Sequence, residues 1–273
     1  MHTIYSDGIR HPNDLIDLAI DNNIDIISIT DHDSIMGLKN ISNKNENIKI
    51  VNGIELTSYY NNESIHILGY NIDINNKELN NKLDSIRTNK FYAIIASLVV
   101  LKDKYNIEFS SYDLANLFNN PGSISRVDIA KLCLKYNYVT TISEAFDKYL
   151  ANIYDYININ NIKIEPKEVI NLIHKSGGFA ILAHPKIYKI DNIEDFIKEL
   201  IFYGLDGIEV YHSLHNKEDI KYYLKLANKY NLKISGGSDY HGESIKEKIP
   251  ISYAKENEFS IDKLTILESV DYE

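Results

Sequence analysis

The feature that most constrains the fold is an alternation of short β-branched runs with amphipathic segments, in which the runs end in polar side chains. Four runs have a His or Asp shortly after them: residues 24–30 before His32, 179–183 before His184, 207–211 before His212, and 232–235 before Asp239. Two further apolar runs, residues 48–56 and 64–72, predict strands that carry Glu55 and His66.

The segments between these runs have helical periodicity. Residues 12–23, 166–176, 193–203 and 216–230 each place apolar side chains on one face. Strand–helix alternation predicts parallel strands with helical crossovers, in a barrel or an open sheet. The polar residues favour the barrel, because the carboxyl ends of barrel strands converge on one face where the active site lies.

The middle of the chain has a different pattern. Residues 75–161 predict helices without a convincing strand, and Asn119-Asn120-Pro121-Gly122 indicates a turn among them. We therefore predict three parts, with residues 1–74 and 162–273 forming the barrel and residues 75–161 forming a helical insertion. The Asn-rich patches at 43–47 and 158–161 are expected to be loops.

Bulk properties exclude several classes of protein. A chain of 273 residues can bury a full core, and its net charge of −10 argues against non-specific binding to duplex DNA. The single cysteine, Cys133, excludes a disulfide framework and is expected to be a small buried residue. The longest apolar run, residues 92–101, is far shorter than the roughly 20 residues of a membrane span. We expect a cytoplasmic protein.

Imidazole and carboxylate side chains recur at both ends of the sequence. Alone, each has a structural explanation such as helix capping or a buried hydrogen bond, but capping does not explain so many histidines at strand ends. His and carboxylate ligands suit Zn, Mn or Fe better than Ca, and eight candidates exceed the need of one ion. The predicted ligands of a multinuclear site are His2, Asp7, His32, Glu55, His66, His184, Asp239 and His241.

These motifs resemble the PHP (polymerase and histidinol phosphatase) family, and the similarity covers almost the whole chain. The segments that carry it are Ser6-Asp7-Gly8, Ile29-Thr30-Asp31-His32-Asp33, Gly53-Ile54-Glu55, His66-Ile67-Leu68-Gly69, Ala183-His184-Pro185, Gly207-Ile208-Glu209-Val210-Tyr211 and Gly236-Gly237-Ser238-Asp239-Tyr240-His241-Gly242. The segments around Ser125-Arg126 and residues 144–150 resemble the subgroup that acts on nucleoside monophosphates and short oligoribonucleotides.

The resemblance implies a distorted (β/α)7 barrel with an inserted helical subdomain and three metal ions. By position, it implies that one ion is bound by His2, Glu55 and Asp239. A second ion, bridged by Glu55, would be bound by His66 and His184. A third would be bound by Asp7, His32 and His241.

The chain departs from the family pattern at its first residue. The first histidine of the family motif would precede Met1, so either a short strand ending in His lies upstream or one ion has a protein ligand fewer. We expect the upstream strand, because a barrel otherwise lacks a strand before Asp7.

The expected activity is metal-dependent hydrolysis of phosphate esters of small nucleotides or short oligoribonucleotides. Divalent ions activate a water to hydroxide and neutralise phosphoryl charge, so no nucleophilic side chain is needed. Mn, Zn and Fe are the expected metals, with Mg a further candidate. Arg126 matches the family arginine that grips phosphate, and His212 is the candidate proton donor and second phosphate-binding group.

Two alternatives remain open at this stage. One is a histidinol-phosphate phosphatase of the same superfamily, against which the insertion around Arg126 counts. The other is a catalytically inert metal-binding module, for which the missing first histidine is the support. The expected partner is a small phosphorylated substrate, with neither membrane nor duplex DNA binding.

Overall fold

The computed structural model describes residues 1–42, 47–157, 163–242, 250–251 and 261–272. Its strands are β1 (Ile26–Ile29), β2 (Lys49–Tyr60), β3 (Glu63–Tyr70), β4 (Phe179–Leu182), β5 (Gly207–His212) and β6 (Lys233–Gly237). Its helices are α1 (Pro12–Asp21), α2 (Met36–Lys39), α3 (Lys77–Tyr105), α4 (Ser111–Asn119), α5 (Arg126–Lys135), α6 (Ile142–Ala145), α7 (Pro166–Lys175), α8 (Ile193–Phe202) and α9 (Lys217–Tyr230).

The strands form one mixed sheet in the order β1-β2-β3-β4-β5-β6. β1 with β2, β4 with β5, and β5 with β6 are parallel, whereas β3 is antiparallel to both β2 and β4. The expectation of parallel strands throughout was therefore wrong at β3. Asn61 and Asn62 connect β2 to β3 with φ angles of 49° and 66°, the positive values that a two-residue hairpin turn requires.

Among the described residues, the sheet has six strands and is open between its two edge strands, β1 and β6, so the expected (β/α)7 barrel is not confirmed. Residues beside this gap line a cavity of about 330 Å³, here called the edge cavity, whose walls include Ile26, Ser28, Leu68, Tyr70 and Leu264. The first residues of the chain bridge one end of it. The amide of His2 donates to the carbonyl of Tyr240, and the amide of Thr30 donates to the carbonyl of Met1, each at 2.9 Å.

Crossover helices cover the sheet because one face of each is apolar. In α7, the buried side chains Val169, Ile170 and Ile173 pack into the main core with the sheet residues Ile67 and Leu182. α7 begins at Pro166, whose fixed φ suits the first helical position. The alternation read from the sequence therefore predicted these elements correctly.

A second apolar core lies within the helical middle of the chain. Ile94 and Leu101 from α3 pack there with Ile129 and Cys133 from α5. Cys133 is a free, buried thiol, as expected, and burial raises its pKa to about 11. The helices expected in residues 75–161 are present as α3, α4, α5 and α6. The predicted boundary at 161–162 and most of both Asn-rich patches lie outside the described residues.

α3, with 29 residues, is long enough to cross a membrane but not apolar enough. No helix in the described part of the chain combines the length and the hydropathy that a membrane span needs.

Candidate metal centre

A buried carboxylate, Asp31, holds the first loop of the chain in place. It accepts hydrogen bonds from the Thr3 amide at 2.7 Å, the Thr3 hydroxyl at 2.7 Å and the Ser6 hydroxyl at 2.6 Å. These bonds fix the loop that carries His2 and Asp7, because both ends of the Thr3–Ser6 segment are tied to one side chain. Asp31 thus positions candidate ligands without facing them.

Glu55, on β2, is the centre of the polar cluster. Its Oε2 lies 3.1 Å from His2 Nε2, and its Oε1 lies 2.9 Å from both His66 Nδ1 and His184 Nε2. The side chain is only 2% exposed, so its charge is shielded from solvent. A carboxylate approached by three imidazoles in the interior matches the arrangement of a bridging metal ligand.

Residues from the end of β6 complete the cluster. Asp239 Oδ1 lies 3.1 Å from His2 Nε2, and His241 Nε2 lies 3.2 Å from Asp7 Oδ1. The His2 ring stacks on the His241 ring at 4.1 Å between centroids. The His32 ring lies 4.4 Å from that of His2. All eight predicted ligands therefore meet in one place.

The atoms of this cluster satisfy the requirements of divalent ions better than those of a hydrogen-bond network. Although several of these atoms approach one another closely, ring nitrogens of His2, His32 and His241 and one oxygen of Asp7 are buried and form no hydrogen bond of normal geometry among the described residues. Buried polar atoms are rarely left unpaired in folded proteins. Three sets place ligand atoms within 4.8 Å of one another: His2, Asp7, His32 and His241; His32, Glu55 and His66; His2, Glu55 and Asp239.

The protonation equilibria in the cluster are strongly displaced. Burial lowers the pKa of His32 to about 3, which favours a neutral ligand imidazole. Burial acts the same way on His2, but the carboxylates of Asp239 and Glu55 outweigh it and raise that pKa to about 9. Burial raises the pKa of Glu55, yet neighbouring His32 and His66 bring it well below its usual value.

Among the described residues, those with positive φ that are neither Asn nor Gly all belong to the cluster or lie next to it. Asp33, His184 and Asp239 have φ angles of 50°, 27° and 52°, in the left-handed region that non-glycine residues avoid. Each follows a strand and turns the chain sharply at the cluster. Strain of this kind costs about 1–3 kcal/mol and persists only where surrounding contacts impose it, most often at functional sites.

A second cavity, of about 350 Å³, opens on the cluster from the side of the helical segment. We call it the polar cavity; its lining includes Asp7, His32 and His66 on one wall and Tyr59, Lys90, Arg126, Phe146 and Tyr154 on the other. The predicted residue Arg126 therefore faces the same space as three candidate ligands.

Arg126 is held by two backbone carbonyls and an aromatic ring. Its Nη1 donates to the carbonyls of Leu150 and Ala151 at 3.2 Å, and its guanidinium lies 4.4 Å from the centre of the Tyr154 ring. Leu150 ends a single π-helical turn, Phe146–Leu150, a rare geometry that often occurs at functional sites. An arginine fixed in this way keeps further N–H groups for a ligand.

Lys90, from α3, was missed by the sequence analysis. Its ammonium pairs with the Asp33 carboxylate, which also accepts from the Thr57 amide at 2.8 Å and the Thr57 hydroxyl at 2.7 Å. The Lys90 ammonium also donates to the Ser123 hydroxyl at 3.2 Å. Asp33 follows His32 directly, so this ion pair ties the helical segment to a candidate ligand. No local pattern in the sequence indicates a contact between residues 57 positions apart.

His212 lies behind the cluster, and its side chain is 1% exposed. Its Nδ1 accepts from the Leu214 amide at 3.1 Å, so the neutral ring carries its proton on Nε2, which lies 3.8 Å from Asp239 Oδ2. It lines neither the edge cavity nor the polar cavity in the described part of the chain. His215 is also buried, and its Nδ1 hydrogen-bonds to the Val210 carbonyl.

Comparison with known proteins places this geometry in a family. The model of the PHP domain matches residues 1–175. A 5'-3' exoribonuclease of Haemophilus influenzae is 26% identical over 257 residues, with 88% of each chain covered. A 3',5'-nucleoside bisphosphate phosphatase of Chromobacterium violaceum is 27% identical over 252 residues, covering 88% of this chain and 85% of that protein.

A solved structure has the same fold. The structure of an amidohydrolase from Chromobacterium violaceum with bound sulfate superposes with a TM-score of 0.77 at 26% identity, covering 93% of each chain. The α/β architecture with its curled sheet is therefore that of PHP-like proteins. The chain belongs to the PHP domain family of metal-dependent phosphoesterases.

Proposed function

We propose that this protein hydrolyses phosphate esters of small nucleotides or short oligoribonucleotides. The observation that carries the proposal is the polar cavity, which joins candidate metal ligands on one wall to cationic and aromatic side chains on the other. The related exoribonuclease and nucleoside bisphosphate phosphatase act on substrates of this class. A nucleotide has the matching groups: a phosphate for the metals and a base for an aromatic wall.

The eight clustered side chains would hold two or three divalent ions. We propose Mn, Zn or Fe, with Mg as a further candidate, because His and carboxylate ligands suit these ions. The His2–Glu55–Asp239 set of the sequence prediction reappears as one close group, and Asp7, His32 and His241 form another with His2. Bound ions would supply an activated water and neutralise charge on the phosphoryl oxygens.

Arg126 is proposed to bind an anionic oxygen of the substrate. Its stack on Tyr154 and its two carbonyl contacts fix the guanidinium plane, which lowers the entropy lost when a phosphate binds. Lys90 lies in the same cavity but is neutralised by Asp33. Arg126 therefore supplies the main positive charge that the chain offers to the substrate on this wall.

His212 fits a positioning role better than direct proton donation. It is buried and does not line the polar cavity in the described part of the chain, and its Nε2 lies 3.8 Å from Asp239 Oδ2, beyond direct hydrogen-bonding distance. We propose that it orients Asp239 through a bridging water, since a polar contact at this distance needs an intermediary.

Residues 75–161 are proposed to be an insertion that shapes the substrate wall. In support, the helical segment has its own apolar core, and its side chains Lys90, Arg126 and Tyr154 all line the polar cavity. The same barrel without this segment would expose the metal ligands to solvent and lack the arginine.

Hydrolysis assays with a panel of substrates test the proposal. We expect release of phosphate or nucleotide from a 3',5'-nucleoside bisphosphate, a nucleoside monophosphate or a dinucleotide in the presence of Mn²⁺, and loss of activity with a chelator. Selective hydrolysis of histidinol phosphate would contradict the nucleotide assignment. Inactivity on every substrate with Mn²⁺, Zn²⁺, Fe²⁺ and Mg²⁺ would favour an inert metal-binding module.

A further inference from the structure

One buried carboxylate near the cluster has no role in the proposed metal sites. Glu209, on β5, is 4% exposed, and burial raises its pKa above the usual value. It belongs to none of the three close sets of candidate ligands. A buried carboxylate costs free energy unless its contacts compensate, so its contacts indicate what it does.

The direct contact of Glu209 is with backbone. Its Oε2 accepts a hydrogen bond of 2.8 Å from the amide of His184, and the bond is buried. Glu209 therefore acts on the main chain of a candidate ligand rather than on its imidazole.

The backbone at His184 is strained in two ways. Its φ of 27° and ψ of 57° lie in the left-handed region. The next residue is Pro185, and a residue before proline is driven towards extended conformations. Without a restraint, His184 would relax to an extended backbone, and its Nε2 would leave its position 2.9 Å from Glu55.

The imidazole contacts of His184 do not restrain its backbone in the same way. Its Nδ1 lies 3.2 Å from the Tyr188 hydroxyl and its Nε2 lies 3.3 Å from His66 Nδ1, and every ring contact acts through the rotatable bonds of the side chain. We propose that Glu209 is a positioning residue that holds the strained backbone of His184 in the ligand conformation. This inference rests on the proposed metal site, and it assigns to Glu209 neither a metal nor a substrate contact.

A nearly isosteric pair of substitutions tests the proposal. Glu209→Gln keeps an acceptor oxygen and removes the charge, whereas Glu209→Met has a similar shape without an acceptor. We expect Mn²⁺ affinity, measured by calorimetry on the full chain, to stay within about threefold for Glu209→Gln. For Glu209→Met it should fall roughly 10- to 100-fold, the usual loss when a group that orients a ligand is removed.

A variant with less backbone strain at His184 distinguishes the proposed positioning role of Glu209 from a general packing role. Pro185→Ala removes the restriction on His184, so the double variant Glu209→Met/Pro185→Ala should recover at least part of the lost Mn²⁺ affinity. Absence of recovery would overturn the proposal. So would an equal loss in Glu209→Gln and Glu209→Met, because the charge and not the acceptor would then matter.

The comparison of Mn²⁺ affinities still tests the role of Glu209 if one variant does not fold or if the proposed function is wrong. Thermal unfolding with a chelator checks that each variant folds; should Glu209→Met not fold, a loss of more than about tenfold in Glu209→Gln would still overturn the inference. If the wild-type protein binds Mn²⁺ but hydrolyses no nucleotide, the proposed function fails while the affinity comparison still decides the role of Glu209.

Discussion

The edge cavity and the polar cavity have nearly the same volume, about 330 and 350 Å³, but very different linings. Both reach the His–carboxylate cluster: Glu55 and Asp239 line the first, Asp7 and His32 the second. Beyond the cluster, the edge cavity is walled by strand residues such as Ile26 and the polar cavity by side chains of the helical segment.

The comparison shows that volume does not identify a substrate site in this protein. A phosphorylated ligand needs a cation at the cavity wall, and the guanidinium of Arg126 lines the polar cavity, whereas no Lys or Arg of the described residues lines the edge cavity. The edge cavity instead results from an open sheet, between β1 and β6. Substitutions should therefore affect activity strongly at the shared cluster, moderately in the polar cavity and little in the edge cavity.

The largest effect is expected at the cluster that both cavities share. Glu55→Gln keeps the shape of the side chain but removes the charge between three imidazoles, so metal content should fall and kcat should drop roughly a thousandfold, about 4 kcal/mol of barrier. Metal analysis and nucleotide hydrolysis measure this. Glu108→Gln, at an exposed carboxylate paired with Lys102, is the control. Full metal content in Glu55→Gln would contradict its bridging role.

In the polar cavity, Arg126→Ala should lower kcat/KM roughly 10- to 150-fold, as expected for one charge-assisted hydrogen bond of about 1.5–3 kcal/mol. The loss should appear mainly in KM, and metal content should not change. Arg126→Lys keeps the charge without the planar fork and should be intermediate. A kinetically silent Arg126→Ala on every nucleotide would remove the main reason to place substrate in the polar cavity.

Behind the cluster, a smaller effect is expected from His212. His212→Gln retains an N–H near the position of Nε2, whereas His212→Leu does not, so only the leucine variant should weaken Mn²⁺ binding, by roughly tenfold. Calorimetric titration with Mn²⁺ measures the affinity of both variants. A much larger loss of kcat than of affinity in both variants would instead favour His212 as a proton donor.

The smallest effect on catalysis is expected in the edge cavity. Leu264→Ala removes apolar contacts from its wall and should lower the free energy of unfolding by about 1–2 kcal/mol, since the residue is only partly buried. Its kcat/KM should stay within about twofold of wild type. A loss of activity comparable with that of Arg126→Ala would show that the two cavities are not functionally distinct.

Much of the candidate metal centre was predictable because residues that follow parallel strands converge at one end of a sheet. His32, His184 and Asp239 obey this rule. His66 does not, since β3 is antiparallel, and it reaches Glu55 from the start of its strand. The sequence marked it as a polar residue in an apolar run, not as the end of a strand.

Other parts of the site depend on tertiary geometry that local patterns do not encode. Lys90 contacts Asp33 because of the way α3 is oriented in the folded chain. His212, which ends β5, is buried and does not line the polar cavity in the described part of the chain. The antiparallel direction of β3 follows from the two-residue turn at Asn61 and Asn62. This turn is a local signal that strand–helix alternation does not take into account.

The way the first loop is held has a consequence for the order of events in folding. Its restraints come from distant parts of the chain: Thr3 bonds to Asp31 across 28 residues, Ile4 to Asn120 across 116, and Arg10 to Tyr240 across 230. Contacts between residues so far apart form slowly, because long loops must close first. We expect the metal centre to be among the last parts of the protein to assemble, so that ions added to the unfolded chain would meet only scattered ligands.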